Sequence, residues 1–104
     1  MNKQHFFLFK IKDDKLNSWK EWCNELMYSR KDEAIATFAD EHVKRETFVV
    51  FATKNGNFVL GRNEYLEDLK KGSPDIQINI DHKIKMRECL EPLASGEILC
   101  DLLG

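Results

Sequence analysis

The stretch HVKRETFVVFATKNGNFVLGR (residues 42–62) decides the fold, because it encodes two adjacent strands and the turn that joins them. Residues 42–53 alternate β-branched and aromatic side chains between two faces, which is typical of a long strand. The Asn-Gly dipeptide at 55–56 supplies the two positive-φ positions of a type I′ turn. Residues 58–62 are therefore predicted to return as the second strand of a hairpin, with the first of them opposite Thr53.

Before the hairpin, the sequence predicts a strand followed by a broken helix. HFFLFKIK (residues 5–12) is short and rich in aromatic residues, as strands are. From Asp14 onward, apolar residues recur every three to four positions, which indicates an amphipathic helix. The helical pattern reaches about residue 40, but its apolar stripe is interrupted over residues 29–32 and resumes at a shifted angle. A straight helix of that length would be longer than the domain is wide, so we expect a bend or break near Arg30.

The segment after the hairpin has a more ambiguous pattern. Asn63 is predicted to cap a helix over residues 64–71, which Gly72 can end. Residues 76–80 alternate like a strand, although the Ser-Pro-Asp sequence just before them also resembles the start of a helix. We favour an extended stretch here, and residues 72–81 as a whole carry no decisive pattern.

The C-terminal part of the chain completes an order of strands and helices. Asp81 is expected to cap a helix that runs to about residue 91, and GEILCDLL (residues 96–103) alternates like a final strand. The order strand, helix, hairpin, helix, strand predicts an α+β protein with the ferredoxin-like βαββαβ arrangement. In that arrangement an antiparallel sheet carries helices on one face. A length of 104 residues fits a single domain over residues 1–104.

The predicted strands are apolar on both faces. In the first strand Phe7, Phe9 and Ile11 lie on one face, and Phe6 and Leu8 lie on the other. A sheet face exposed to water should be mostly polar, whereas the helices of this fold cover only one face. We therefore expect a homodimer in which the uncovered sheet faces pack together, forming a dimeric α+β barrel.

Three segments resemble the pattern of a family of small bacterial proteins of unknown function that adopt the dimeric α+β barrel fold. The segments are KLNSWKEWCNEL, RKDEAIATFADEHVKRETFVVF and IDHKIKMRECLEP. The positions that carry the resemblance are Trp19 or Trp22 in the first helix, residues 33–38, the acidic Glu41, and Glu46 with Phe48 in the second strand. The resemblance implies the fold and the dimer, but no reaction. The chain departs from the family pattern between Asn63 and Ile80, so no pocket residue can be carried over there.

Composition and charge exclude several classes of function. The chain has 16 Lys and Arg against 18 Asp and Glu, interleaved throughout, whereas nucleic-acid binding requires a basic patch. No apolar run approaches the ~20 residues of a membrane-spanning helix, and the N-terminus does not resemble a signal peptide. We therefore expect a cytoplasmic protein with neither a nucleic-acid nor a membrane partner. No glycine-rich phosphate loop occurs in the sequence, and no cofactor is predicted.

The cysteines and histidines form no recognisable disulfide or metal motif. Cys23, Cys89 and Cys100 are odd in number and contain no C-x-x-C pair, which indicates reduced thiols. Cys23 and Cys100 share faces with apolar neighbours, so both are expected to be buried. The three histidines lack the i, i+4 spacing of a metal-binding helix, so they are expected at the surface and no metal site is predicted.

Glu46 is the acidic residue of most interest, because alternation points its carboxylate to the same apolar surface as Phe48. One alternative is that this end of the strand is exposed and Glu46 pairs with a lysine such as Lys44. The other is that Glu46 lies in a cavity between sheet and helices, near Trp19 or Trp22, which could instead be core residues. The candidates for a ligand pocket are Glu46, Trp19, Trp22 and His5, and no catalytic residue is assigned.

Three functions from different classes fit these features. The first, which we favour, is a homodimeric module that binds a small molecule or has a regulatory role, without catalysis. The second is a cofactor-independent small-molecule enzyme, similar to a monooxygenase or an isomerase, in which Glu46 or His5 accepts a proton. The third is single-stranded RNA binding on the open sheet, but NFVLG at residues 57–61 lacks the basic and aromatic pattern that such a sheet needs.

Overall fold

A computed structural model describes residues 3–66 and 71–104 of the chain. In chain order the elements are β1 (Lys3–Ile11), α1 (Leu16–Met27), α2 (Lys31–Ala36), α3 (Phe38–Glu41), β2 (Val43–Thr53), β3 (Gly56–Tyr65), α4 (Gln77–Cys89) and β4 (Leu90–Ser95). The strands form one antiparallel sheet in the order β2-β3-β1-β4. The α+β class expected from the sequence is therefore confirmed. None of the helices described is both long and apolar enough to cross a membrane.

The hairpin of β2 and β3 forms in a register that differs from the predicted one. Thr53 lies opposite Gly56 and not Phe58, so the two-residue loop is Lys54-Asn55. Gly56 has a φ of 123°, whereas Asn55 does not have a positive φ, so the expected type I′ turn is wrong. The Thr53 hydroxyl closes the turn by accepting a hydrogen bond from the Asn55 N–H (3.1 Å) and donating one to the Gly56 carbonyl (2.8 Å). Within the turn only Gly56 has a positive φ, a conformation that residues with a side chain rarely adopt.

The helical region breaks where the interrupted apolar stripe predicted a bend. α1 ends at Met27, and α2 begins at Lys31. Between them Tyr28 leaves helical geometry, with φ −129° and ψ −80°. Arg30 is the N-cap residue of α2, and its Nη2 pairs with Oε2 of Glu33 in the first turn of that helix at 2.9 Å. The break expected near Arg30 is confirmed.

β3 is longer than predicted and replaces the start of an expected helix. Asn63 lies inside the strand, where it pairs with His5 of β1 and Glu46 of β2, so it does not cap a helix. β3 includes Glu64 and Tyr65, the first two residues of the helix predicted over residues 64–71. The predicted helix is therefore wrong at its N-terminal end. Residues 67–70 of that predicted helix lie outside the described residues. The cause is non-local, because both neighbouring strands extend far enough to pair with the end of β3.

The ambiguous segment before the last helix belongs to that helix. α4 begins at Gln77, so the extended conformation expected for residues 76–80 is wrong, and Asp81 lies within the helix instead of capping it. The Gln77 side chain donates a hydrogen bond to Oδ1 of Asp81 at 2.8 Å, an i, i+4 contact that supports the first turn. Ile78 is buried and Ile76 packs partly buried against the core, while Ile80 is exposed, so the three isoleucines do not share one environment.

The last strand of the sheet precedes the segment that was predicted to form it. α4 ends at Cys89 and not near residue 91, and β4 begins directly at Leu90. Residues 96–103 have no regular secondary structure, so the final strand predicted there is wrong. The edge of β1 that a last strand could use is already taken by β4, which pairs with residues 7–11.

The two faces of the sheet differ in what covers them. The core packs on one face against α1 and α4, and its buried members are Phe9, Ile11, Trp19, Trp22, Val59, Ile78, Cys89 and Leu90. On the opposite face Leu8 of β1 and Val49 of β2 flank Leu60 of β3, and both Leu8 and Val49 are exposed. Phe51, further along β2, is 50% exposed on this face. The apolar second face predicted from the sequence is present and faces solvent in this chain.

Candidate functional site

A cavity of about 50 Å³ lies between the start of β2 and the four helices. Its lining residues are Leu26, Ala34, Thr37, Phe38, Glu41, Glu46, Ile78, Asn79 and His82. A more open depression of about 210 Å³ adjoins it and shares Glu41, Asn79 and His82 with it. Residues 71–74, the loop before α4, border that depression. The two spaces form a site suited to a compact molecule, since typical drug-sized pockets exceed roughly 300 Å³.

Glu46 places a carboxylate in the cavity. It lies on β2 opposite Asn63 of β3, on the same strand face as Phe48. Its side chain is partly buried and makes no hydrogen bond or ion pair with any residue in the ranges 3–66 and 71–104. Burial, and then the charge of Glu41, raise the pKa of Glu46 to about 7. Lys44, the pairing partner considered from the sequence, is exposed and is not bonded to Glu46.

His82 of α4 forms a second polar part of the cavity wall, and the sequence did not single it out. The imidazole lies among Trp19, Trp22 and Phe48, whose ring centres are 5.9 to 6.5 Å from its own. Trp22 Nε1 donates a hydrogen bond to Nδ1 of His82 at 2.9 Å, so Nε2 carries the proton of the neutral ring. Burial lowers the pKa of His82 to about 4. The expectation of surface histidines is therefore wrong for His82, and both tryptophans, each 2% exposed, support its ring from the core.

Arg30 holds α4 against the end of α1. Its Nη1 donates to Oδ2 of Asp81 at 2.7 Å, and its guanidinium carbon lies 5.6 Å from the centre of the Trp22 ring. Hydrogen bonds from Arg30 lower the pKa of both Asp81 and Glu33, so the two carboxylates stay ionised around it. Since Asp81 directly precedes His82, this contact positions the imidazole beside the cavity.

Gly72 allows the loop before α4 to approach the cavity closely. A Cβ atom at this position would lie 2.7 Å from Nδ2 of Asn79 and 2.9 Å from Oε2 of Glu41. Asn79 Nδ2 also donates a hydrogen bond to the Ser73 carbonyl at 3.0 Å, which ties the loop to α4. The loop backbone therefore approaches the polar lining so closely that a side chain at this position would displace the ends of the Asn79 and Glu41 side chains.

One family model matches almost the whole sequence. It describes a family of unknown function, DUF6176, and it covers residues 3–102. The chain belongs to this family. The comparison with curated proteins finds no match. The resemblance to a family of unknown function that the sequence indicated is thus confirmed, and the entire cavity lies within the region that DUF6176 covers.

His5, the fourth pocket candidate in this DUF6176 chain, lies outside the cavity. His5 and Glu46 are both paired with Asn63, one on each side of β3. Two strand spacings separate them, which corresponds to about 10 Å. Nε2 of His5 instead lies 2.8 Å from the Tyr65 hydroxyl. The structure thus places Glu46 and His82 in the cavity wall, the two tryptophans in the core behind His82 without lining the cavity, and His5 across the sheet.

The thiols of this DUF6176 chain differ in their surroundings. Cys23 is half-buried, and burial, followed by the charge of Glu46, raises its pKa to about 11. Cys89 is fully buried, and burial raises its pKa as well. Cys100 is exposed, so its predicted burial is wrong, because the segment that carries it forms no strand in this chain. A thiol with a raised pKa is a poor nucleophile, so Cys23 does not supply one to the nearby cavity.

The cavity combines a group that exchanges a proton near neutral pH with one that does not. Glu46 can donate or accept a proton there, because its pKa is about 7. His82 stays neutral and keeps an N–H donor at Nε2. In the described part of the chain no three His, Cys, Asp or Glu side chains are grouped so as to hold a metal ion. The arrangement suits a small polar molecule that meets hydrogen-bonding groups on two sides.

Proposed function

We propose that the chain is a homodimeric small-molecule-binding or regulatory module whose ligand occupies the cavity beside Glu46. The observation that carries this proposal is the carboxylate of Glu46, which lies partly buried without a bonded partner in residues 3–66 or 71–104. An acidic group in such a place destabilises the fold unless another group satisfies it. A bound molecule that donates a hydrogen bond or carries positive charge would supply that partner.

The lining favours a compact amine or alcohol as the ligand. Glu46 and Glu41 present oxygen acceptors and negative charge, while Nε2 of His82 presents a donor. Leu26 and Phe38 make part of the remaining wall apolar. A ligand with an ammonium or hydroxyl group at one end and an acceptor at the other would satisfy both polar sides.

The ferredoxin-like fold and its dimeric barrel belong to the same proposal. The strand order β2-β3-β1-β4, with helices on one face, supports the ferredoxin-like arrangement. The exposed side chains of Leu8, Val49 and Phe51 on the other face support a second copy as its cover. Removing such a face from water stabilises an association by roughly 25 cal/mol per Å² of apolar surface, and a two-fold axis lets one patch cover its equal.

A second candidate function, cofactor-independent catalysis, is favoured by the pKa of Glu46. A carboxyl group with a pKa of about 7 is well matched to general acid or base catalysis at neutral pH. In this function Glu46 moves a proton to or from a small substrate, and the neutral His82 donates a hydrogen bond from Nε2 to a substrate oxygen. His5 takes no part, because it lies across the sheet.

A thermal-shift screen of small amines, alcohols and their carboxylic-acid counterparts tests this proposal. We expect an amine or alcohol to raise the melting temperature of the parent and of Glu91→Gln, a change at an exposed strand carboxylate, but not that of Glu46→Gln. Compounds that bind are then incubated with each variant, and conversion by the parent and by Glu91→Gln, but not by Glu46→Gln, would select the catalytic function. A screen without any hit, or hits that shift Glu46→Gln equally, would remove the cavity as a ligand site. Light scattering that reports a monomer at micromolar concentration would remove the dimer.

A further inference from the structure

Residues 97–104 leave the sheet with their apolar side chains exposed. The last backbone hydrogen bond that holds this part of the chain runs from the Gly96 N–H to the Phe6 carbonyl at 2.6 Å. Beyond it no hydrogen bond or ion pair connects residues 97–104 to the rest of the described structure. Three leucines of this segment are almost wholly exposed: Leu99 (87%), Leu102 (90%) and Leu103 (100%). Such a segment is unfavourable in water unless another surface covers it.

The segment has the alternation of a β-strand. In an extended conformation Ile98, Cys100 and Leu102 lie on one side. The other side carries two leucines and two acidic residues in alternation, namely Glu97, Leu99, Asp101 and Leu103. A single strand cannot satisfy its own backbone N–H and C=O groups, so it needs the edge of a sheet. The chain therefore contains a strand-like sequence that pairs with none of the described strands of its own sheet.

β2 is a long strand with an unpaired edge. It lies at the outside of the sheet, it pairs with β3 on its inner side, and no other described strand lies beside it. Exposed edges of this kind are usually covered, since they invite pairing with other chains. Lys44 and Arg45 are exposed near its start, whereas Glu97 and Asp101 belong to the C-terminal segment. The charges of the edge and of the segment are thus complementary.

The segment cannot form a full strand on the β2 edge of its own chain. β4 and β2 lie at opposite edges of the sheet, so the position just outside β2 is about 19 Å from β4 at roughly 4.8 Å per strand spacing. Residues 97–104 span at most about 27 Å when fully extended, which would leave only about two residues for pairing. Continuing along β1 would pair only three residues of the segment, because the register that pairs Ser95 with Phe7 reaches Lys3, the first residue of β1, at Leu99.

We infer that residues 97–103 form an exchanged strand that pairs with the free edge of β2 in a second copy of the chain. This inference rests on the homodimer proposed above and names the contact that closes it. A two-fold axis makes the exchange reciprocal, so each sheet gains a fifth strand and each copy loses one open edge. The segment leaves the sheet after Gly96. A Cβ at this position would lie 2.8 Å from Cβ of Phe6, so the backbone of Gly96 packs closely against β1.

Truncation after Gly96 provides the first test. Since no hydrogen bond or ion pair ties residues 97–104 to the rest of the described structure, the truncated protein should keep the circular dichroism spectrum of the parent. Its dimer dissociation constant, from light scattering over a dilution series, should rise by at least about tenfold, the loss expected when central interface contacts are removed. The double variant Ile98→Asp, Leu102→Asp should weaken the dimer similarly. Ile84→Asp, which changes an exposed isoleucine on α4, should not.

Hydrogen exchange identifies where the segment docks. In the full-length dimer, backbone amides of β2 should exchange at least about tenfold more slowly than in the truncated chain, because the added strand pairs with its edge. The outcomes separate the two proposals. A monomeric parent removes both of them, while a truncated chain that dimerises as tightly as the parent removes only the strand exchange. A truncated chain that is monomeric but shows unchanged exchange in β2 also overturns the inference, since the segment then docks elsewhere.

Discussion

The indole N–H of Trp22 donates a hydrogen bond to Nδ1 of His82 across 2.9 Å, in a pocket where Trp22 is 2% exposed. This contact selects the tautomer with the proton on Nε2 and makes protonation of Nδ1 incompatible with the native pairing. It acts in the same direction as burial, which lowers the pKa of His82 to about 4. Glu46 in the same cavity has its pKa raised to about 7, so the two groups respond to acid with opposite effects on stability.

Replacing Glu46 by Gln should change how stability depends on pH. In the folded protein Glu46 holds a proton up to about pH 7, whereas the unfolded chain releases it near pH 4.3, so the free energy of unfolding falls as pH rises through that window. Gln has no such titration. We expect Glu46→Gln to exceed the parent in unfolding free energy at pH 8, on the order of 2 kcal/mol, and to match it near pH 4. Urea denaturation at both pH values measures this, and equal curves would show that Glu46 titrates normally.

Replacing His82 should have the opposite effect on the pH profile. The unfolded chain binds a proton near pH 6.5 that folded His82 does not accept until about pH 4, so this group makes the unfolding free energy rise with pH between those values. His82→Gln keeps an acceptor for the Trp22 indole but removes the titration. In this variant only the effect of Glu46 remains, so the free energy of unfolding should fall as pH rises. The free energy of unfolding of His82→Phe should be lower than that of His82→Gln by about 1 to 3 kcal/mol, because the indole N–H of Trp22 becomes unpaired. Equal stability of the Gln and Phe variants would argue against the indole hydrogen bond.

The hairpin turn should depend on Gly56 and not on Asn55. With a φ of 123°, Gly56 occupies a region that residues with a side chain rarely adopt, so Gly56→Ala should destabilise the protein by about 1–3 kcal/mol. Asn55→Ala should cost less than about 0.5 kcal/mol, since Asn55 is exposed and has no positive φ to maintain. Thermal denaturation of both variants measures the difference. Comparable losses would instead favour the type I′ turn.

The three thiols should react in a fixed order. In dilute native protein we expect one prompt equivalent of a thiol reagent to react at Cys100, which is exposed, and Cys100→Ser should abolish that phase. Cys23, with its pKa raised to about 11, should react slowly at pH 8, and the buried Cys89 only after denaturant is added. Mass spectrometry of the labelled peptides measures the order. Prompt labelling of Cys89 would contradict the packing of α4 against the sheet.

Local pattern was sufficient for the parts of the fold that local contacts determine. The alternation of β2 follows from its own residues, and the break at Arg30 follows from the interrupted stripe of α1 and α2. The same alternation put Glu46 on the strand face of Phe48, where the cavity lies. These features depend on period and charge within a short window, which a sequence shows directly.

The errors lie where partners distant in sequence decide the structure. Asn63 resembles a helix cap, but pairing with His5 on β1 and Glu46 on β2 keeps it in a strand. The sequence predicts His82 at the surface, because it flanks the predicted helix start at Asp81 and forms no i, i+4 metal-binding pair. In the structure α4 begins at Gln77, and Ile78 and His82 lie four residues apart on one helix face, a spacing that indicates that His82 faces the core side.

β1 precedes the other strands of this sheet in sequence and yet it lies inside the sheet, with Leu8 opposite Leu60 on one side and Ala94 on the other. On the ribosome it therefore emerges long before either neighbour exists. The hairpin of β2 and β3 can assemble from contacts close in sequence, but the sheet is complete only when residue 95 has left the exit tunnel. A nascent chain that stalls earlier would present the aromatic side chains of β1 to chaperones or to other unfinished chains.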